Sequence, residues 1–235
     1  DRLGLLVDTV FPKYGDFNGT QLAIAAVCFS IQLYGDFAGY SAMAIGAAEV
    51  LGFRLAENFR CPYLALSMRE FWHRWHISLS SWFRDYVYIP LGGSRKGKAR
   101  AYLNTMATML VSGLWHGASW HFVVWGGLHG LYQVLGNGLR PARDRVCAVL
   151  HLNREAPLCR LVRGVWTFGL VTLAWIFFRA ESTRAAVGFV VRMATHVSFS
   201  LSGITGMGLD KKDLLAAAVA VIVLFLADVM KERGW

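Results

Sequence analysis

The sequence predicts an all-α, polytopic membrane protein, and three observations carry that prediction. Of 235 residues, 55% are hydrophobic and 17% charged, against the roughly 25% charged residues of a typical soluble domain, and mean hydropathy is +0.41. Apolar runs near the roughly 20 residues that cross a bilayer recur along the chain. The cations lie in the connections between those runs.

The chain opens on Asp1 without the basic and apolar run of a signal peptide, and reads as a fragment of a longer protein with residues 1–235 in a single membrane domain. Candidate spans fall at about 20–48, 101–115, 119–138, 161–178 and 213–230, of which "WTFGLVTLAWIFF" and "LLAAAVAVIVLFLADVM" are the cleanest. The longest polar stretch, Arg140 to Arg163, reads as a loop.

A net charge of +9 raises nucleic acid as a partner, but the cations form neither a helix face nor an aromatic-interleaved patch, and that class is set aside. Positive-inside topology is the better account. It puts "GGSRKGKAR" (92–100) and the arginine-rich 140–163 connection in the cytoplasm, so that residues 101–138 enter the membrane and return. Lys211 and Lys212 fit that topology less well. The basic 94–100 loop needs no further role as an attractor of an anionic donor. Cys28, Cys61, Cys147 and Cys159 form no C-x-x-C pair and no zinc spacing, so neither redox nor metal chemistry is assigned to them.

The stretch "GLWHGASWHFVVWGGLHG" (113–130) places three histidines among apolar residues. One helix over 101–135 would run roughly 52 Å at ~1.5 Å per residue, too long for a hydrocarbon core of ~30 Å. The chain must break, and "WHGAS" is where it does so, with Gly117 permitting the turn and Ser119 capping the next helix. His116 then sits at an interruption between two apolar segments. Irregular backbone at membrane depth belongs in protein or beside a water-filled cavity, which makes an ionisable ring there a functional candidate. A histidine at the far headgroup boundary beside Trp115 and Trp120 fits the spacing equally well. His121 and His129 read as hydrogen-bonding residues between helices.

A second stretch, "SMREFWHRWHISLSSWFRDYVYIPLGG" (67–93), carries too many charges for a lipid-facing span. At helical spacing Arg69, His73, His76 and Ser80 share a face. Either an interfacial helix or a helix lining a polar cavity fits, and only the second brings His76 toward His116. Asp36, within the first span, should pair with a cation such as Arg74 or Arg84 or line the aqueous cavity, and the structural pairing is the better reading.

Three motifs in order, "DFAGYSAMAIGAAEVLGF" (36–53), "FWHRWHISLSSWFRDYVYIPLGGSR" (71–95) and "SGLWHGASWHFVVWGGLHG" (112–130), resemble the C-terminal half of bacterial membrane-bound O-acyltransferases, in particular those acting in alginate O-acetylation. The resemblance runs from about Tyr34 through the last span. It implies a helical bundle around a tunnel, completed by further N-terminal spans. The histidine of the W-H-G motif, the family's essential catalytic residue, falls on His116. The tunnel histidine of the R-W-H-x-S-L-S motif falls on His76.

Acyl transfer needs a base to take the proton of the attacking hydroxyl, worth typically ~10² to 10⁴ in rate, and histidine titrates near neutrality. His116 is expected as general base, with His76 orienting the acceptor or polarising the carbonyl. No G-x-S-x-G elbow is present, which favours direct transfer over an acyl-enzyme. The resemblance implies a multi-pass bacterial inner-membrane acyltransferase that binds no resident cofactor. Its acetyl donor would be acetyl-CoA or an acyl carrier, and its recipient an exported polysaccharide or a periplasmic acetyltransferase partner. Two other classes use intramembrane histidines or broken helices. A b-type haem protein would pair His116 with His129, a register that the Gly117 break spoils, and a transporter would show internal repeats, which the sequence lacks.

Overall fold

The computed structural model describes residues 2–198 and 204–234. Its α-helices are α1 (Arg2–Val10), α2 (Gly19–Val50), α3 (Met68–Arg74), α4 (Ile77–Phe83), α5 (Lys98–His116), α6 (Trp120–Gly138), α7 (Arg140–Val149), α8 (Pro157–Arg179), α9 (Thr183–Thr195) and α10 (Lys211–Glu232). No strand occurs among the described residues. The five apolar runs of the sequence become α2, α5, α6, α8 and α10. Three of these, α2, α8 and α10, are long and apolar enough to cross a membrane.

The chain forms two compact units, one of residues 1–55 with 172–235 and one of residues 56–171. In the first, Asn18 starts α2 by a reciprocal cap: its side chain accepts from the Gln21 amide at 3.0 Å, and Gln21 Oε1 accepts from the Asn18 amide at 3.0 Å. Such a box satisfies two of the donors that a helix start leaves open. Leu6, Val7, Val10, Leu22 and Ala25 are wholly buried between α1 and α2, and Phe11 stacks on Phe189 of α9 at 4.6 Å. Several polar groups of this unit are answered within it. Ser30 donates to Ala26 and meets Thr172 at 3.0 Å, Tyr34 donates to both Asp228 oxygens at 3.0 Å, and Arg179 pairs with Asp8 at 2.5 Å.

The second unit is built on the antiparallel hairpin of α5 and α6. Glycines let the two backbones meet: a Cβ on Gly113 would strike the Phe122 carbonyl, and one on Gly126 the Met109 carbonyl. Between apolar helices in lipid the hydrophobic effect gives little, so close backbone packing at small residues supplies the attraction. Gly126-x-x-x-Gly130 is the sequence signal of this contact. At the open end of the hairpin a Cβ on Gly138 would lie 3.9 Å from the Tyr102 hydroxyl, so the basic connection before α5 and the arginine-rich segment after α6 start from the same end. That agrees with the in-and-out path expected of residues 101–138. Asn104, 2% exposed, donates to the carbonyls of Leu91 at 3.2 Å and Gly93 at 2.9 Å and so anchors the 91–93 turn on α5.

Two local expectations are corrected. Residues 140–149 are helical as α7, and 157–163 already belong to α8. The Arg140–Asp144 pair, 3.8 Å apart at i,i+4, and Pro141 in the first turn both suit a helix whose polarity hid it. Ser119 stands at the start of α6 but its hydroxyl makes no cap hydrogen bond, while its carbonyl accepts from the Phe122 amide at 3.1 Å. Within the second unit Arg74 pairs with Glu70 one turn away at 2.8 Å and Arg84 with the adjacent Asp85 at 2.7 Å.

Candidate functional site

The site is assembled within the second unit from two breaks in helical structure. The first lies at His76. Residues 67–93 do not form one helix, so Arg69, His73, His76 and Ser80 do not share a face. Instead α3 ends at Arg74, Trp75 is extended, His76 takes left-handed angles (φ 44, ψ 56), and α4 begins at Ile77. A π-helical turn over Arg84–Tyr88 follows.

Local hydrogen bonds explain this turn. The Asn58 carbonyl accepts from the Ile77 amide at 3.0 Å, and Asn58 Oδ1 accepts from the Ser78 hydroxyl at 2.6 Å and its amide at 3.3 Å. Ser80 reaches back to Trp75 O at 3.2 Å. Phe59 braces Trp75 edge to face at 5.0 Å. A non-glycine residue held left-handed carries strain that its surroundings must over-determine, and such residues gather at functional sites. Here the strain turns His76 to the half-buried side of the segment while His73 stays exposed. Burial pushes the His76 imidazole down to about 4, so the ring is neutral near neutral pH.

The second break is at His116, the last residue of α5. Phe122 of α6 packs so tightly under Gly117 that a Cβ there would approach its ring at 2.7 Å. The imidazole stands edge to face against Trp115 at 4.9 Å and Trp125 at 5.0 Å. Phe83 of α4 reaches Trp115 at 6.3 Å, which ties the segment after His76 to the end of α5. Through that contact the breaks at His76 and His116, forty positions apart, lie on adjoining elements of one unit. The cavity-lining reading of 67–93 requires this convergence.

Sequence reasoning missed the wall behind the pair. Trp125, 1% exposed, also meets His129 at 5.1 Å. His129 is wholly buried, between Trp72 at 5.0 Å and Phe71 at 6.2 Å. His129 therefore joins α6 to α3 through aromatic faces. His116 and His129 lie on different helices with Trp125 against both, rather than stacked on one helix face. The spacing of Trp125 and His129 by four residues was the available signal, since it puts both on one side of α6. His121 is buried at the start of α6 against Phe122.

Buried donors also gather here. Trp72 Nε1, the Tyr132 hydroxyl and Gln133 Nε2 meet no hydrogen-bond partner among the described residues. Buried polar groups are almost always satisfied, so these donors are suited to a polar ligand or water. Among the described residues no three His, Cys, Asp or Glu side chains gather as a metal ion would require, and all four cysteines are free thiols.

Comparison with known proteins agrees with this architecture. The family model for membrane-bound O-acyltransferases matches residues 17–180. The chain is 39% identical over 227 residues to a probable alginate O-acetylase of Pseudomonas fluorescens, covering 97% of this chain and 42% of the relative. It is 41% identical over 224 residues to the corresponding protein of Azotobacter vinelandii, covering 95% and 42%. A peptidoglycan O-acetyltransferase of Helicobacter pylori is 37% identical over 187 residues, covering 80% and 34%. The chain thus spans about two fifths of the length of the alginate relatives. With that match across helices α2 to α8, and with both histidine breaks inside it, the chain belongs to the membrane-bound O-acyltransferase family.

Proposed function

We propose that this chain is the C-terminal part of a multi-pass inner-membrane enzyme that transfers an acetyl group to an exported, alginate-like polysaccharide, directly or through a periplasmic acetyltransferase partner. The observation that carries the proposal is the approach of two separate helix breaks, at His76 and His116, joined by the Phe83–Trp115 contact. Relatives named for alginate and peptidoglycan O-acetylation support the acetyl group and the glycan acceptor.

His116 is the general base. It takes the proton of the acceptor hydroxyl as that oxygen attacks the acyl carbonyl, and returns it to the leaving group, which is a thiolate if the donor is acetyl-CoA or an acyl carrier. The edges of Trp115 and Trp125 fix the plane of its ring, which matters because misplacing a catalytic group by about 1 Å loses roughly 10²-fold in rate. His76, neutral near pH 7, orients the acceptor or donates to the carbonyl oxygen. The donor reaches the site from the cytoplasm and the acetyl group leaves on the other side.

The test compares full-length protein with its His116→Ala variant at matched membrane levels, in cells making their own exopolysaccharide, by ester-linked acetyl released with mild base. Loss of about 10² or more in the variant is expected of a general base. Equal acetylation would make His116 an interfacial or structural histidine.

A further inference from the structure

The helix α7 plays no part in the histidine site. It follows α6 after a single residue, lies in the arginine-rich segment, and has no buried residue. Its apolar residues nevertheless form one face: Ala142, Val146 and Val149, extended by Leu139 and Leu150 at either end, recur at helical spacing. Leu139, Val146, Val149 and Leu150 are 54%, 54%, 71% and 59% exposed. Arg143 and Arg145 border this face on its two sides, while Arg140, Asp144 and Ala148 lie opposite.

The charge is strongly one-sided. Asp144, the one acid of the helix, is taken by Arg140 at 3.8 Å and by Arg154. Arg143 bends back to the Gly136 carbonyl at 2.7 Å, and Arg145 meets no partner among the described residues. An apolar strip bordered by long cationic side chains fits the boundary between acyl chains and headgroups, where the strip enters the lipid and the arginine stems rise to the phosphates.

We infer that α7 lies in the plane of the membrane as a binding surface for anionic phospholipid, its apolar face in the acyl boundary and Arg143 and Arg145 on lipid phosphates. Three features favour lipid as the occupant. The helix starts where a membrane hairpin ends, at the end shared with the basic residues before α5. Its arginines complement the anionic cytoplasmic leaflet. Arg160 and Arg163, in the first turns of α8, continue the basic band. The inference rests on the membrane reading and not on acyl transfer.

The test uses the full-length protein in nanodiscs of phosphatidylcholine, with and without phosphatidylglycerol. A ketone-bearing residue is introduced at Val146 or at Ala148 for spin labelling, so that the native cysteines stay. The expected result is a label at 146 open to oxygen and shielded from aqueous nickel, with the reverse at 148. Phosphatidylglycerol should raise the ratio of immersed to water-exposed label at 146 by about fivefold for each arginine engaged. R143Q with R145Q should abolish that dependence. Labels at 146 and 148 equally open to nickel would overturn the inference, because the helix would then lie in water. A label at 146 shielded from both oxygen and nickel would also overturn it, placing another protein segment on the face.

Discussion

The hairpin of α5 and α6 and the final helix α10 differ in a way that hydropathy alone inverts. α10 is the most apolar span, with mean hydropathy 2.4, yet no residue of that window is buried. The hairpin is less apolar and buries Asn104, Thr108, Ser112, His121 and His129. α10 is suited to lipid on most of its surface, with Asp228 on Tyr34 as its polar fastening. In the hairpin, glycines bring two backbones together and polar groups find protein around them. High hydropathy therefore marks contact with lipid, and the candidate histidines are found where a membrane helix gives up some of it.

The largest test of that contrast is to force the hairpin apart. Gly126→Val would drive side-chain atoms into the Met109 carbonyl and toward Gly113 Cα at 3.2 Å. We expect a loss of about 1–3 kcal/mol of stability, as for overpacked sites, and of roughly 10²-fold in acetylation, since His116 is displaced with the end of α5. Gly136→Val, where a Cβ meets nothing within 4 Å, is the control. Thermal unfolding of the full-length protein in detergent and base-released acetyl report the two quantities. Equal behaviour of the two variants would show that the close glycine contact holds neither hairpin nor site.

The second test sits at the other break. Because His76 is left-handed, glycine there should be more stable than alanine by about 1–2 kcal/mol, a difference read by thermal unfolding, while both lose acetyl transfer. Asn58→Ala removes the acceptor that holds Ser78 and should lower turnover by about 10-fold through a looser His76. Since His76 is already neutral above about pH 4, its replacement by Asn should leave the shape of the rate profile between about pH 5 and 8 unchanged. A limb in that range that moves with the substitution would show that His76 titrates in the reaction and would overturn its role as a neutral orienting group.

Much of this was legible in the amino acids, and the rest was hidden for physical reasons. Apolar runs gave the five long helices within a few residues, because lipid and core both demand them. That 101–135 must break followed from its length in a bilayer, and Gly117 placed the break at His116. The break at His76 was invisible, for nothing in "WHRWHISLS" departs from helical spacing. It is imposed by Asn58, eighteen positions upstream. The helix α7 hides in the sequence because its high polarity outweighs its periodicity. Arg74 and Arg84 show the weight of near neighbours, since they pair with acids one turn and one residue away. Trp125 and His129, which back the site, needed a long-range packing that only the spacing of 125 and 129 hinted at.

The smallest expected effect separates lipid from protein most finely. Ile176 of α8 is 1% exposed and Ile222 of α10 is 58% exposed, so the same Ile→Val change removes one methylene from two different surroundings. At Ile176 it leaves a gap in a packed core, and about 0.5–1.5 kcal/mol should be lost. At Ile222 an acyl chain fills the space, because lipid is as apolar as the side chain it meets, and the change should stay within ~0.5 kcal/mol. Paired thermal unfolding of the two variants in one lipid nanodisc measures the difference directly. If Ile222→Val loses as much as Ile176→Val, the exposed face of α10 is packed against protein in the full-length chain, and its hydropathy marks a helix interface after all.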